Sequence, residues 1–152
     1  MKIIGNNKII GVYEILMEPN IDERGFFMRV YDKFSENGLD RNWVQENHSK
    51  SVKKGVIRGL HLQMPPYSET KLIRCIRGKV EDVFVDLRKG SETFGQWDSI
   101  ELSEEKFNAV YIPRGFAHGF CTLEENCEVI YKVDNWYSPQ SEVGILWNDT
   151  EL

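Results

Sequence analysis

Between Lys54 and Arg88 the chain reads KGVIRGLHLQMPPYSETKLIRCIRGKVEDVFVDLR, and much of it alternates apolar and polar residues. A period of two is that of a β-strand, whose successive side chains point to opposite faces. In Val80–Leu87, Val83, Val85 and Leu87 share one face, and Asp82, Phe84 and Asp86 the other. His61 and Gln63 share a face with Gly59, while Arg58 has the opposite parity unless Gly59 marks a bulge that re-aims it. Lys71 follows the Pro65-Pro66 loop and has the parity to point inward with Ile73 and Cys75. This segment alone is equally compatible with an amphipathic hairpin bearing solvated charges.

The rest of the chain repeats the strand pattern. Met1–Met28 reads as short strands broken by turns at Asn6-Asn7, Pro19-Asn20 and the charged run Asp22-Glu23-Arg24-Gly25. Gln45–Ser51 is a polar loop or strand edge. Ser99–Leu102, Val110–Ile112, Glu128–Val133 and Gly144–Trp147 read as further strands. Asp32–Asn37, stopped by Gly38, is the best helix candidate. Many short strands with very little helix predict an all-β sandwich or barrel, with residues 1–152 as a single domain.

Composition narrows the function classes. The formal net charge of -5 argues against a nucleic-acid or anionic-membrane surface, though not against a local basic pocket. No apolar run approaches the length of a membrane-spanning helix, and the first residues lack a signal-peptide core. Cys75, Cys121 and Cys127 are odd in number and sit in strand-like stretches. They read as buried free thiols of a cytoplasmic protein.

Few residues offer chemistry. His61 and His118 are two of only three histidines. A small barrel could bring both to one cavity, although each alone also fits a hydrogen-bonded core position. Pro113-Arg114-Gly115-Phe116-Ala117-His118 resembles the P-x-G-x-x-H motif of cupin barrels. The metal-binding histidine pair of the other cupin motif is replaced by His61-Leu62-Gln63, and glutamine is a poor ligand, so no metal is expected. Arg24, Arg58, Lys71, Arg74 and Arg77 could meet an anion, but Arg74 and Arg77 read as solvated strand edges. An inward Lys71 near His61 could stabilise an oxyanion. Tyr131, between Val129 and Val133, is either core or a general acid.

Longer stretches carry a resemblance. ERGFF (Glu23–Phe27), VQENHSKS (Val44–Ser51), Lys54–Trp97, YIPRGFAHGF (Tyr111–Phe120) and YKVDNWYSPQSEVGILWND (Tyr131–Asp149) are similar to the dTDP-4-dehydrorhamnose 3,5-epimerase family. The likeness implies a cupin-type double-stranded β-helix, or jelly roll, without metal or cofactor. It implies a homodimer that exchanges N-terminal strands and acts on a nucleotide-linked 4-keto-6-deoxyhexose in rhamnose-type biosynthesis. It further implies His61 as base, Lys71 as the cation at the enolate and Tyr131 as acid. Arg24, Gln45, Asn47, Arg58 and His118 are implied in binding the nucleotide diphosphate or sugar, with Tyr137 near the sugar.

Three departures bear on that expectation. Family members continue past the equivalent of Leu152 with an aspartate that pairs with the base histidine. Here Asp82 or Asp86 is the candidate partner of His61, with water or a backbone carbonyl as alternatives. Trp136 and Leu62 stand where tyrosine is more usual, and either could reshape the sugar pocket. Epimerisation at C3, C5 or both stays open. So do a non-catalytic nucleotide-sugar-binding cupin, a metal-dependent cupin enzyme and a 3,4-ketoisomerase.

Overall fold

A computed structural model describes residues 1–33 and 38–152. The strands, in chain order, are β1 (Lys2–Gly5), β2 (Tyr13–Leu16), β3 (Asn20–Asp22), β4 (Gly25–Phe27), β5 (Gln45–Ser51), β6 (Ile57–Gln63), β7 (Lys71–Arg77), β8 (Lys79–Asp86), β9 (Trp97–Ser103), β10 (Asn108–Ile112), β11 (Phe116–Thr122), β12 (Cys127–Val133) and β13 (Glu142–Gly144). A 3-10 turn, Pro139–Ser141, precedes β13. The expected helix at Asp32–Asn37 falls largely outside the described residues. The last strand lies slightly earlier than expected, because Val143 pairs with Leu62 along the edge of β6.

The strands form a six-stranded sheet, β1-β2-β10-β7-β12-β5, facing a five-stranded sheet, β13-β6-β11-β8-β9, while β3 and β4 make a separate hairpin. Alternation decides which side chains meet. On β8, Phe84 is fully buried between the sheets, while Val85 is buried in a cluster on the outer face of the smaller sheet. On β7, Ile73 and Cys75 join the central core, and Leu72 turns to the outer face of the larger sheet. Truncating a buried aromatic such as Phe84 to alanine costs about 3–5 kcal/mol. Three apolar layers therefore follow from one periodicity.

The inward faces are not apolar throughout. On β12, Cys127 and Val129 belong to the central core, and two residues on the same face carries Tyr131 into an open cleft. On β7 the inward series Cys75, Ile73, Lys71 ends in the same way. The core thus fixes the backbone from which the polar groups project.

A bulge on β6 completes the arrangement. His118 on β11 pairs with His61 and Phe120 pairs with Arg58, so two steps on β11 match three on β6. The extra residue is Gly59, at φ +96°, where a Cβ would lie 2.4 Å from the His118 carbonyl oxygen. Only glycine lets the two backbones approach this closely. The bulge restores Arg58 to the face of His61.

The three cysteines are free; Cys75 and Cys127 are buried, whereas Cys121 is half-exposed, contrary to the expectation that all three are buried. Cys121 pairs with Ile57 and Glu81 and alternates away from the central core. Among the described residues, no helix is long and apolar enough to cross a membrane.

Candidate active site

Two cavities, of about 340 and 420 Å3, share His61, Lys71 and Tyr131 in their walls and so form two lobes of one cleft. The first lobe adds Gln45 and Asn47 from β5, then Gln63, Glu69, Tyr137 and Glu142. The second adds Arg58, His118, Ser49 and Phe120. Eight of the nine catalytic or binding residues expected from the sequence line this cleft. The exception is Arg24, which sits at the exposed turn between β3 and β4 and pairs with Asp22. Phe26 of this hairpin packs edge-on against Phe107 of the outer layer, ring centroids 5.1 Å apart, so the hairpin lies away from the space between the sheets and Arg24 does not line the cleft of its own chain.

The shared residues come from different sheets. His61 lies on β6 of the five-stranded sheet, and Lys71 and Tyr131 lie on adjacent strands of the six-stranded sheet. His61 is largely removed from water, which lowers its pKa to about 4; Lys71 and then His118 push the same way, and Glu142 opposes them. The imidazole is therefore neutral at pH 7, ready to accept a proton. Burial raises the Tyr131 phenol above its usual value, as do Glu69 and Glu142, against Arg58. It therefore stays protonated at neutral pH. Lys71 has a side-chain exposure of 4% and pairs with Glu69 at 3.2 Å.

The expected pairing of Asp82 with His61 is corrected. Asp82 Oδ2 lies 2.9 Å from His118 Nε2, because Asp82 sits on β8 beyond His118 as seen from β6. The rings of His118 and His61 are 6.4 Å apart between centroids. Asp86 is also committed, accepting hydrogen bonds from Arg88, Ser91 and Thr93. Leu62 faces the outer cluster of the smaller sheet and does not shape the cleft. Trp136 is exposed, and its carbonyl accepts a bond from Gln63 Nε2 at 3.1 Å.

Gln63 is held as a strut. The two hydrogens of its Nε2 are shared among three acceptors, the others being the Tyr67 carbonyl at 2.9 Å and Glu69 Oε2 at 3.1 Å, and its Oε1 accepts from the Ser138 amide at 2.6 Å. Glu69 and Glu142 were not foreseen. Glu69 stands two residues before Lys71, so parity could have placed them together; Glu142 opens β13, a three-residue strand too short to carry a periodic signal. Glu142 Oε2 accepts a hydrogen bond from the Tyr137 hydroxyl at 2.7 Å, which raises that phenol's pKa.

Residues 6–152 match the family model described as dTDP-4-dehydrorhamnose 3,5-epimerase. The chain belongs to this epimerase family. A Shigella flexneri dTDP-4-dehydrorhamnose 3,5-epimerase is 50% identical over 143 residues, covering 91% of this chain and 78% of that one. The crystal structure of the Bacillus anthracis str. Ames dTDP-4-dehydrorhamnose 3,5-epimerase, with TDP and PPi bound, is 44% identical. It superposes with a TM-score of 0.96 over 99% of this chain and 87% of that one. The Legionella pneumophila Philadelphia 1 dTDP-6-deoxy-D-glucose-3,5-epimerase, in complex with dTDP-4-keto-L-rhamnose, gives 39% identity. Its TM-score is 0.91 over 99% of this chain and 80% of that one. The epimerase-family fold here is the cupin-type jelly roll.

Proposed function

We propose that the protein epimerises a dTDP-linked 4-keto-6-deoxyhexose at C3, C5 or both, in rhamnose-type sugar biosynthesis. The observation that carries this reading is the meeting of a neutral imidazole, a buried ammonium and a protonated phenol at the junction of two lobes. The C4 ketone acidifies the hydrogens on its neighbouring carbons. His61 takes one as a proton, the bonding pair moves into the ring, and the carbonyl becomes an enolate. Lys71 stabilises the negative oxygen. Tyr131 gives a proton to the opposite face of the carbon, and the enolate returns to a ketone. General acid–base help of this kind contributes about 10²–10⁴-fold each, and a fixed cation at an oxyanion a comparable factor.

The remaining assignments follow the polarity of the lobes. Arg58 supplies the cation, and His118 a neighbouring ring, for diphosphate or sugar oxygens. Gln45, Asn47 and Tyr137 supply amides and an aromatic face for the nucleotide and sugar. Residues 1–152 act as one catalytic domain in a cytoplasmic homodimer. The projecting β3–β4 hairpin supports exchange between subunits: Ile21, Phe26 and Phe27 are exposed at 72%, 57% and 77%. In such a dimer Arg24 is delivered to the other subunit's cleft. The unpaired thiols fit a reducing compartment.

The deciding experiment is proton NMR of dTDP-4-keto-6-deoxyglucose with the purified protein in deuterated water. Loss of both the C3 and C5 proton signals, with a new stereoisomer, is the expected result; loss of C3 alone makes it a 3-epimerase. Saturable binding without exchange overturns the catalytic reading in favour of a binding module. The low pKa of His61 is the observation that favours that second reading.

A further inference from the structure

We infer that Glu69 is a positioning residue for this chemistry, its carboxylate bridging Gln63 and Lys71 so that the ammonium is fixed at the junction of the lobes. The inference rests on the epimerase reading above. Each carboxylate oxygen has its own partner: Oε1 lies 3.2 Å from Lys71 Nζ, and Oε2 accepts from Gln63 Nε2 at 3.1 Å. Gln63 is itself 3% exposed and held by three backbone groups, so the anchor behind Glu69 does not move freely.

The strand fixes only the backbone of Lys71. Its four-carbon stem has many rotamers, and an ammonium is a compact point charge with no preferred direction. A buried anion on one side selects the rotamer and leaves the remaining donors for a substrate oxygen. Glu69 has a side-chain exposure of only 11%. Buried ion pairs seldom add net stability over apolar replacements, so a pair kept in the wall of a cleft suits a role in orientation.

The same carboxylate acts on the acid. The ionisable groups sharing the cleft with Tyr131 are Arg58, His61, Glu69, Lys71, His118, Tyr137 and Glu142. After burial, Glu69 is the largest influence raising the Tyr131 pKa, and Arg58 opposes it. Replacing Glu69 with a neutral residue therefore lets the phenol ionise at lower pH.

The test is Glu69→Gln, which keeps shape and removes charge, beside Glu69→Asp, which keeps charge. Rates of C3 and C5 deuterium exchange are followed against pH with dTDP-4-keto-6-deoxyglucose. For Glu69→Gln, kcat is expected to fall about 10–100-fold with KM within about threefold, and the alkaline limb to move to lower pH. Glu69→Asp is expected to hold the wild-type limb and recover part of kcat. Wild-type kcat and limb in Glu69→Gln overturn the inference. So does a loss of kcat that tracks a lowered melting temperature while the limb stays in place. Should Glu69→Gln not fold, a Glu69→Asp limb displaced from wild type overturns it. A wild-type protein that binds the sugar nucleotide and exchanges neither proton overturns the epimerase reading, and this inference falls with it.

Discussion

His61 and Tyr131 enter one cleft from opposite sheets, His61 on β6 and Tyr131 on β12. Inversion at carbon needs a base on one face and an acid on the other. A sandwich supplies that opposition when one group is drawn from each layer. Lys71, beside Tyr131 on β7, then lies next to the acid and across from the base.

His61→Asn should reduce C3 and C5 exchange by about 10²–10⁴-fold while dTDP binding, measured by calorimetry, changes little. In the wild type, kcat/KM reports the free enzyme, so its acid limb should fall near pH 4, where the buried imidazole gains a proton. A limb near the ordinary histidine value would show that His61 is less desolvated than its burial implies, whereas undiminished exchange in His61→Asn would overturn the base assignment.

Tyr131→Phe keeps the ring against the central core and removes the proton donor. Product formation should drop about 10²-fold or more, with the melting temperature near wild type. Unfolding of this variant would show that the hydroxyl serves the core.

Acid sensitivity should divide into two windows. The folded pKa of His61 is lowered to about 4 from 6.5, so the unfolded chain binds its proton first as pH falls. That costs stability between those values, and His61→Asn should flatten the loss. Asp86 is buried, which disfavours its charge, yet the bonds from Arg88, Ser91 and Thr93 outweigh burial and depress its pKa. Its contribution is present above the unfolded value of 3.8 and is lost below it. Asp86→Asn should cost about 2–4 kcal/mol at neutral pH, read by urea unfolding.

Gly59→Ala should be severe. Its Cβ would lie 2.4 Å from the His118 carbonyl oxygen and 2.7 Å from the Gly119 Cα, both backbone atoms. A loss of about 3 kcal/mol or more is expected by denaturant unfolding, with failure to fold as the extreme. A variant of wild-type stability would show that the strands can separate here at no cost.

Phe27→Asp tests the proposed dimer. Placed on the exposed hairpin, the charge should leave the two-sheet core intact by circular dichroism and shift sedimentation toward the monomer. An unchanged sedimentation coefficient would remove the hairpin from the interface.

The alternation of Val80–Leu87 correctly divided Phe84 from Val85 between two apolar layers, and the parity of Lys71 with Ile73 correctly turned the lysine inward. The Gly59 bulge was legible as a condition, because one extra residue was needed to bring Arg58 beside His61. Those features rest on a period of two, which any strand imposes on its own residues. The partner of Asp82 was not legible. Parity put Asp82 on one face with Phe84, which the structure turns inward, but β11 lies between β8 and β6, so the carboxylate meets His118 before it can meet His61. The bridge from Gln63 through Glu69 to Lys71 likewise depends on a loop folding against the 136–141 turn. A sequence carries local periodicity because neighbouring residues share one backbone geometry. Strand order and loop contacts join residues far apart in the chain, and only packing of the two sheets selects among them.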